Sequence, residues 1–173
     1  MIELDRDALL ALGGFDDATR ALVRAMVADG FQVADAWGPV QMAVAHLELA
    51  RDGQHVAWHT ERGFNEPALV WHDDPAAPRA RLVVATIAWA RGREADGRVR
   101  APGIALPTRR SENTAILLTH WRSVLEWLPT ADAGRLERID RAWWTEWPFG
   151  HVNPGDDAQI AEWAARVEAT AAE

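Results

Sequence analysis

The sequence predicts an α+β fold, with one or two N-terminal helices, an antiparallel β-meander of four or five strands, and three C-terminal helices packed on one face of the sheet. Apolar residues recur with helical spacing before residue 30 and after residue 110. Between residues 31 and 89 the spacing shifts toward two, which is typical of strands. The length of 173 residues predicts a single α+β domain over 1–173.

Two helices are expected at the N-terminus. A short helical turn covers residues 5–12, and an amphipathic helix covers residues 16–29. An aspartate at position 16 or 17 can cap the start of the longer helix, and Gly30 can end it in a left-handed conformation. Its apolar face consists of Leu22, Val23, Met26 and Val27.

The strand region opens with residues 31–37, which Gly38-Pro39 is expected to end. Residues 40–50 form the next strand, with a change of phase near Ala45 that indicates a bulge. A helix over Pro39–Ala50, with proline in its first turn, is the alternative.

Asp52-Gly53 is the strongest hairpin signal in the chain. It predicts that residues 41–50 pair antiparallel with 54–60. Two further strands are expected at Ala68–Trp71 and Leu82–Trp89, separated by a proline-rich turn.

A long arginine-rich loop is predicted at about residues 91–110, where six arginines and two carboxylates give a charge of +4. Loops of this length are commonly functional or disordered. Arg98 and Arg100 are candidate contacts in it, because guanidinium groups bind carboxylates or phosphates in a planar fork. Helices are expected to follow at residues 111–128, 132–144 and 156–170.

The composition excludes several kinds of chemistry, because the chain contains no lysine, no cysteine and no tyrosine. Pyridoxal Schiff bases, Walker phosphate loops and thiol or phenol nucleophiles are therefore ruled out. The missing lysine has two alternative explanations, GC-rich coding DNA or selection against lysine. The net charge of −8 argues against binding to nucleic acid or anionic membranes.

Histidines in the strand region are the candidate metal ligands. His55 and His59 are four residues apart in one strand and therefore point to the same face, and the neighbouring strand ends at His72-Asp73. Imidazoles and a carboxylate on adjacent strands suit zinc, manganese or non-haem iron. The alternative is a polar face of the sheet, and the spacing matches no recognised metal signature. No cofactor or metal is therefore expected.

Ten tryptophans are a large excess for a chain of this size. Neighbouring helix positions point about 100° apart, so Trp143 and Trp144 cannot both enter the core. Trp144 and Trp147 are therefore the candidate binding surface, whose loss should weaken partner binding or self-association with little change in melting temperature. The alternative is that tryptophan only adds bulk to an alanine-rich core.

The chain is expected to be a non-enzymatic, acidic binding protein that occupies or neutralises another macromolecule. Immunity, inhibitor or antitoxin proteins of mobile elements or phages act in this way. One alternative is a small enzyme or ligand-binding domain that uses a histidine face (His55, His59, His72) or a tryptophan-lined groove. The other is a structural subunit of a larger assembly. A protein partner or homo-oligomer, no membrane segment and a cytoplasmic location are expected.

Overall fold

The computed structural model confirms the α+β fold. It describes residues 5–40, 44–61, 64–65, 68–95 and 110–146, and for residues 64–65, 90–95, 110–117 and 142–146 it describes the backbone alone. The chain separates into two compact units, residues 1–82 and 83–173. Among the described helices, none combines the length and hydropathy needed to cross a membrane.

The two N-terminal helices form where the sequence predicts them. Helix α1 spans Arg6–Leu12 and helix α2 spans Asp17–Ala28. Both start at an aspartate cap: the Asp5 and Asp16 carboxylates each accept a hydrogen bond of 2.8 Å from the backbone three residues later. Gly30, at φ +101°, follows the end of α2 as predicted. The predicted apolar face of α2 is buried.

All strand pairings in the described sheet are antiparallel, and the strand order is β1-β2-β3-β5-β6. A two-residue strand, β4, pairs with β3 and was not predicted. The strand bounds are Gln32–Val40 (β1), Val44–Arg51 (β2), Gln54–Glu61 (β3), Phe64–Asn65 (β4), Leu69–His72 (β5) and Ala80–Arg81 (β6).

The predicted hairpin is confirmed. Asp52 and Gly53 both have positive φ values, 51° and 75°, as a two-residue turn between twisted strands requires. Pairing runs without a shift from Arg51 opposite Gln54 to Ala45 opposite Thr60. Because β2 is a strand in this register, the alternative helix over Pro39–Ala50 is wrong.

The first strand departs from the prediction at Gly38-Pro39, which does not end it. Strand β1 continues to Val40, and the register shifts between Trp37 and Val40. Trp37 pairs with His46 and Val40 with Val44, so the extra residue belongs to β1 and lies opposite Ala45. The bulge expected near Ala45 therefore exists, but in the partner strand.

One face of the sheet forms the core of the N-terminal unit. Helix α1 packs on β1 and β2. Strands β2 and β3 bury every second residue, and the buried set comprises Ala45, Leu47, Leu49, Val56, Trp58 and Thr60. Alternation of this kind places the intervening residues on the opposite face.

The prediction of a strand over Leu82–Trp89 is wrong, because helix α3 spans Leu82–Ala95. Its β-branched residues favour a strand by local propensity. Yet from Val84 to Trp89 every consecutive side chain is buried, which a segment apolar on all sides permits in a helix as well as in a strand. The first residues of the expected 91–110 loop thus belong to α3.

The C-terminal unit is helical in its described part. Helix α4 spans Arg110–Trp127, a 3-10 turn follows at Leu128–Thr130, and helix α5 spans Ala133–Glu146. The unit's buried apolar side chains after residue 118 are Trp121, Val124, Leu125, Leu128, Leu136 and Ile139. The expected helix at 156–170 and the loop residues 96–109 lie outside the described residues.

Replacing Gly38 by alanine should destabilise the protein by roughly 3 kcal/mol, because Gly38 has a φ of +108° and an added Cβ would lie 2.6 Å from the Val44 carbonyl oxygen. Gly30→Ala is the matched control. Its φ is similarly positive, but the nearest atom would lie 4.0 Å away, so about 1 kcal/mol is expected. Urea unfolding measures both, and equal losses would contradict the close-approach explanation.

Candidate functional site

The face of the sheet opposite the core carries several polar and aromatic side chains. We call it the histidine face and define it by Asp35, Trp37, His46, Glu48, His55, His59 and Trp71. Cross-strand pairing brings these residues together, because Trp37 pairs with His46, His46 with His59, and His55 with Trp71. They form two groups at different positions along the strands.

His55 is the centre of the first group and is held by two carboxylates. Its Nδ1 lies 2.8 Å from Oε1 of Glu48, and its Nε2 lies 3.0 Å from Oδ1 of Asp73. An imidazolium donates from both ring nitrogens, so the protonated ring satisfies both contacts. With both nitrogens engaged, His55 is poorly placed to act as a general base.

The hairpin turn places Asp73 beside His55. The backbone N–H of Asp73 donates to the carbonyl of Gly53 at 2.7 Å. A Cβ at Gly53 would lie 3.1 Å from Oδ2 of Asp73, so glycine allows this close approach. The turn therefore fixes both the strand register and the position of the second carboxylate.

Trp71 supports the ring of His55. The two rings are stacked with centroids 5.0 Å apart and planes 7° from parallel. The guanidinium carbon of Arg79 lies 5.4 Å from the Trp71 ring centroid. An indole attracts cations through its electron-rich face, so Trp71 favours both Arg79 and the charged form of His55.

The environment of His55 favours its protonated form. Burial by itself would lower the pKa of the imidazole, but the hydrogen bonds to Glu48 and Asp73 and the attraction of both negative charges outweigh burial. The net result is a pKa raised above the ordinary value of 6.5. In its protonated form, His55 is therefore a charged link between β2, β3 and the end of β5.

The second group surrounds Trp37. Its indole stacks on His46 with centroids 5.6 Å apart and contacts the edge of His59 at 6.0 Å. The Asp35 carboxylate lies 3.7 Å from Nε2 of His46. Trp37 is 40% exposed, and among the described residues it is the only tryptophan whose side chain is exposed.

Carboxylates and imidazoles alternate across the face for an electrostatic reason. Asp35 and Glu48 are direct cross-strand partners, and like charges in that position repel. Each has an imidazole nearby, His46 for Asp35 and His55 for Glu48. Protonated His55 therefore offsets part of a repulsion that the strand register creates.

The structure brings together only part of the predicted metal set. His55 contacts Asp73, but His59 lies in the Trp37 group, about 13 Å further along the strand. His72 has the opposite strand parity from Trp71, and its Nδ1 lies 3.4 Å from the backbone N–H of Asp74. No cluster of three potential metal ligands occurs among the described residues.

The other candidate contacts lie outside the described side chains. Trp144 lies in α5, in the part for which the backbone alone is described. Trp147, Arg98 and Arg100 lie outside the described residues. Their proposed role in binding therefore stays a prediction.

Sequence reasoning missed Asp35, Trp37, His46 and Glu48 as members of one site. The sequence does contain the pattern, because polar His46 and Glu48 alternate with apolar Leu47 and Leu49 in β2. Combining that alternation with the hairpin register would have placed His46 opposite His59. The bulge at Gly38-Pro39 hid the relation of Trp37 to both.

The charged link predicts a pH-dependent contribution to stability. Because the pKa of His55 is raised on folding, its stabilising effect is fully present below pH 6.5 and is lost as pH rises through the folded-state pKa. The free-energy difference of unfolding between the wild type and His55→Gln should therefore be larger at pH 6 than at pH 9. Urea unfolding across this range measures it.

A variant of the neighbouring residue Glu48 tests separately whether a carboxylate raises the pKa of His55. Glu48→Gln preserves shape but deletes one carboxylate, so it should lower the pKa of His55 as followed by NMR titration of the ring. A wild-type ring that titrates at or below 6.5 would contradict the charged link.

Comparison with known proteins identifies no relative of this chain. No family model matches the chain, and no curated protein or solved structure shows significant similarity to it. The chemistry of the histidine face is therefore the basis for inferring function.

Proposed function

We propose that the chain is a non-enzymatic, acidic, cytoplasmic protein that occupies or neutralises another protein, in the manner of an immunity, inhibitor or antitoxin protein. The contact surface is the Trp37 end of the histidine face. The observation that carries the proposal is the 40% exposure of Trp37 on a strand face that also presents a carboxylate, Asp35. Exposed tryptophan is enriched where proteins bind one another.

Burial of Trp37 by a partner would release substantial free energy. A tryptophan side chain offers up to about 250 Å², so the exposed 40% leaves about 100 Å² in water, worth about 2 kcal/mol on burial. Val40, 55% exposed, continues the apolar surface along β1. This surface suits the centre of an interface with a polar rim.

Charge indicates the kind of partner. Residues 1–82 contain 13 aspartates and glutamates and 7 arginines, which places −6 of the formal −8 charge in the N-terminal unit. A field of this sign attracts a basic protein surface and accelerates association with it. It also repels nucleic acid, in line with the sequence expectation.

The state of His55 supports binding over catalysis. A general base needs a free nitrogen within reach of substrate, whereas both nitrogens of His55 already contact carboxylates. The His55 ring is held by hydrogen bonds to two carboxylates and by stacking on Trp71. Such a site suits a preorganised contact surface.

A small enzyme or ligand-binding domain is the second candidate. The adjacency of His46 and His59, with ring centroids 6.3 Å apart, favours it, because neighbouring imidazoles can exchange protons with a substrate. Replacing both by glutamine would abolish turnover of such a substrate, whereas a protein that only binds has no turnover to lose. An activity assay of the wild type and this double variant therefore separates the two candidates.

Trp37→Ala should weaken partner binding about 10- to 30-fold, the equivalent of about 2 kcal/mol, with little change in melting temperature. The partner is first captured in the native host through a photo-cross-linking residue at Val40. It is then purified, and its dissociation constant and stoichiometry are measured by calorimetry. Sedimentation velocity reports self-association in parallel.

Leu118→Ala is the matched control, because Leu118 is also apolar and 37% exposed but belongs to the C-terminal unit. It should leave the affinity unchanged. A captured partner that binds Trp37→Ala as tightly as the wild type would overturn the proposal.

A further inference from the structure

We propose that Trp37 and Asp35 together form a recognition site for an arginine side chain of the partner protein. This inference rests on the proposed function and specifies its contact chemistry. The indole would stack against the guanidinium, and the carboxylate would accept hydrogen bonds from its edge.

The chain already holds one of its own arginines in such an arrangement. The Arg51 guanidinium carbon lies 4.4 Å from the ring centroid of Phe31, and its Nη1 lies 2.6 Å from Oδ2 of Asp29. Asp29 and Phe31 are two residues apart. Here an aromatic ring and an aspartate at this spacing bind a guanidinium together.

A second aromatic ring with the same spacing to an aspartate also has an arginine nearby. Trp71 and Asp73 are two residues apart, and Arg79 lies 5.4 Å from the Trp71 ring centroid. Here the Asp73 carboxylate contacts His55. The aromatic ring is therefore the shared element, and the carboxylate adds to it where it is available.

Asp35 and Trp37 repeat this spacing on a strand. Both lie on the histidine face, about 7 Å apart along β1. Among the described residues no arginine lies over Trp37, whose ring contacts are His46 and His59. The Asp35 side chain is 57% exposed, so ring and carboxylate are both accessible.

Arginine fits this site better than lysine. A guanidinium is planar, so it can lie parallel to the indole while its N–H groups point sideways toward Asp35. An ammonium is a point charge with stronger hydration, and it gains less from a flat ring. The negative N-terminal unit adds a further preference for a cation.

The test uses three capped tripeptides, acetyl-Gly-X-Gly-amide, in which X is arginine, citrulline or lysine. Citrulline has nearly the shape of arginine without its charge. Each peptide is titrated into the full chain at pH 8, and the indole N–H signal of Trp37 is followed by NMR. Trp37→Leu identifies that signal by its loss.

The arginine peptide should shift the Trp37 signal to saturation and bind at least fivefold more tightly than the citrulline peptide. Asp35→Asn should weaken the arginine peptide about threefold and leave the citrulline peptide unchanged. Asp7→Asn, a charge-removing change at an exposed residue of helix α1, should have no such effect.

Equal binding of arginine and citrulline peptides would overturn the inference. So would equal binding of arginine and lysine peptides with no effect of Asp35→Asn, since that pattern indicates attraction to overall charge. If the cross-linked partner needs Trp37 but the peptide does not bind, the arginine site fails and the proposed function stands. If the peptide binds but no partner depends on Trp37, the proposed function fails and the site stands.

Discussion

The pairing of β2 with β3 through the Asp52-Gly53 turn is the constraint on which the rest of the N-terminal unit depends. Its register sends alternate residues of both strands into the core and the others to the histidine face. A shift of one residue would move Leu47 and Leu49 into water and bury His46 and Glu48. The carbonyl of Gly53 in the same turn accepts a hydrogen bond from the backbone N–H of Asp73. One turn therefore positions both the core strands and the carboxylate beside His55.

Local chemistry predicted the elements that are determined locally. The aspartate caps, the Gly30 stop and the Asp-Gly turn each involve a few adjacent residues whose backbone demands are specific. The strand prediction for Leu82–Trp89 was wrong because an apolar run rich in β-branched residues has no periodicity that distinguishes a buried strand from a buried helix. There, packing in the folded chain overrides local propensity.

The candidate site was only half visible in the sequence for a related reason. The common face of His55 and His59 follows from strand parity alone, but their neighbours depend on pairing. His72 pairs with Gln54 and so lies on the opposite face from His55, which follows only once the register of β5 against β3 is known. The bulge at Gly38-Pro39 shifts Trp37 by one position against β2. No local rule predicts which of the two strands carries the extra residue.

The exposure of Trp37 has to be reconciled with its place on β1, the outer strand in the described sheet order. A flat apolar edge strand would invite indiscriminate pairing with other chains. Asp35 places a charge on β1, the bulge interrupts its ladder, and Pro39 lacks a backbone donor. These features restrict pairing through the backbone while leaving the indole accessible. The edge is therefore suited to recognition by side chains rather than by strand addition.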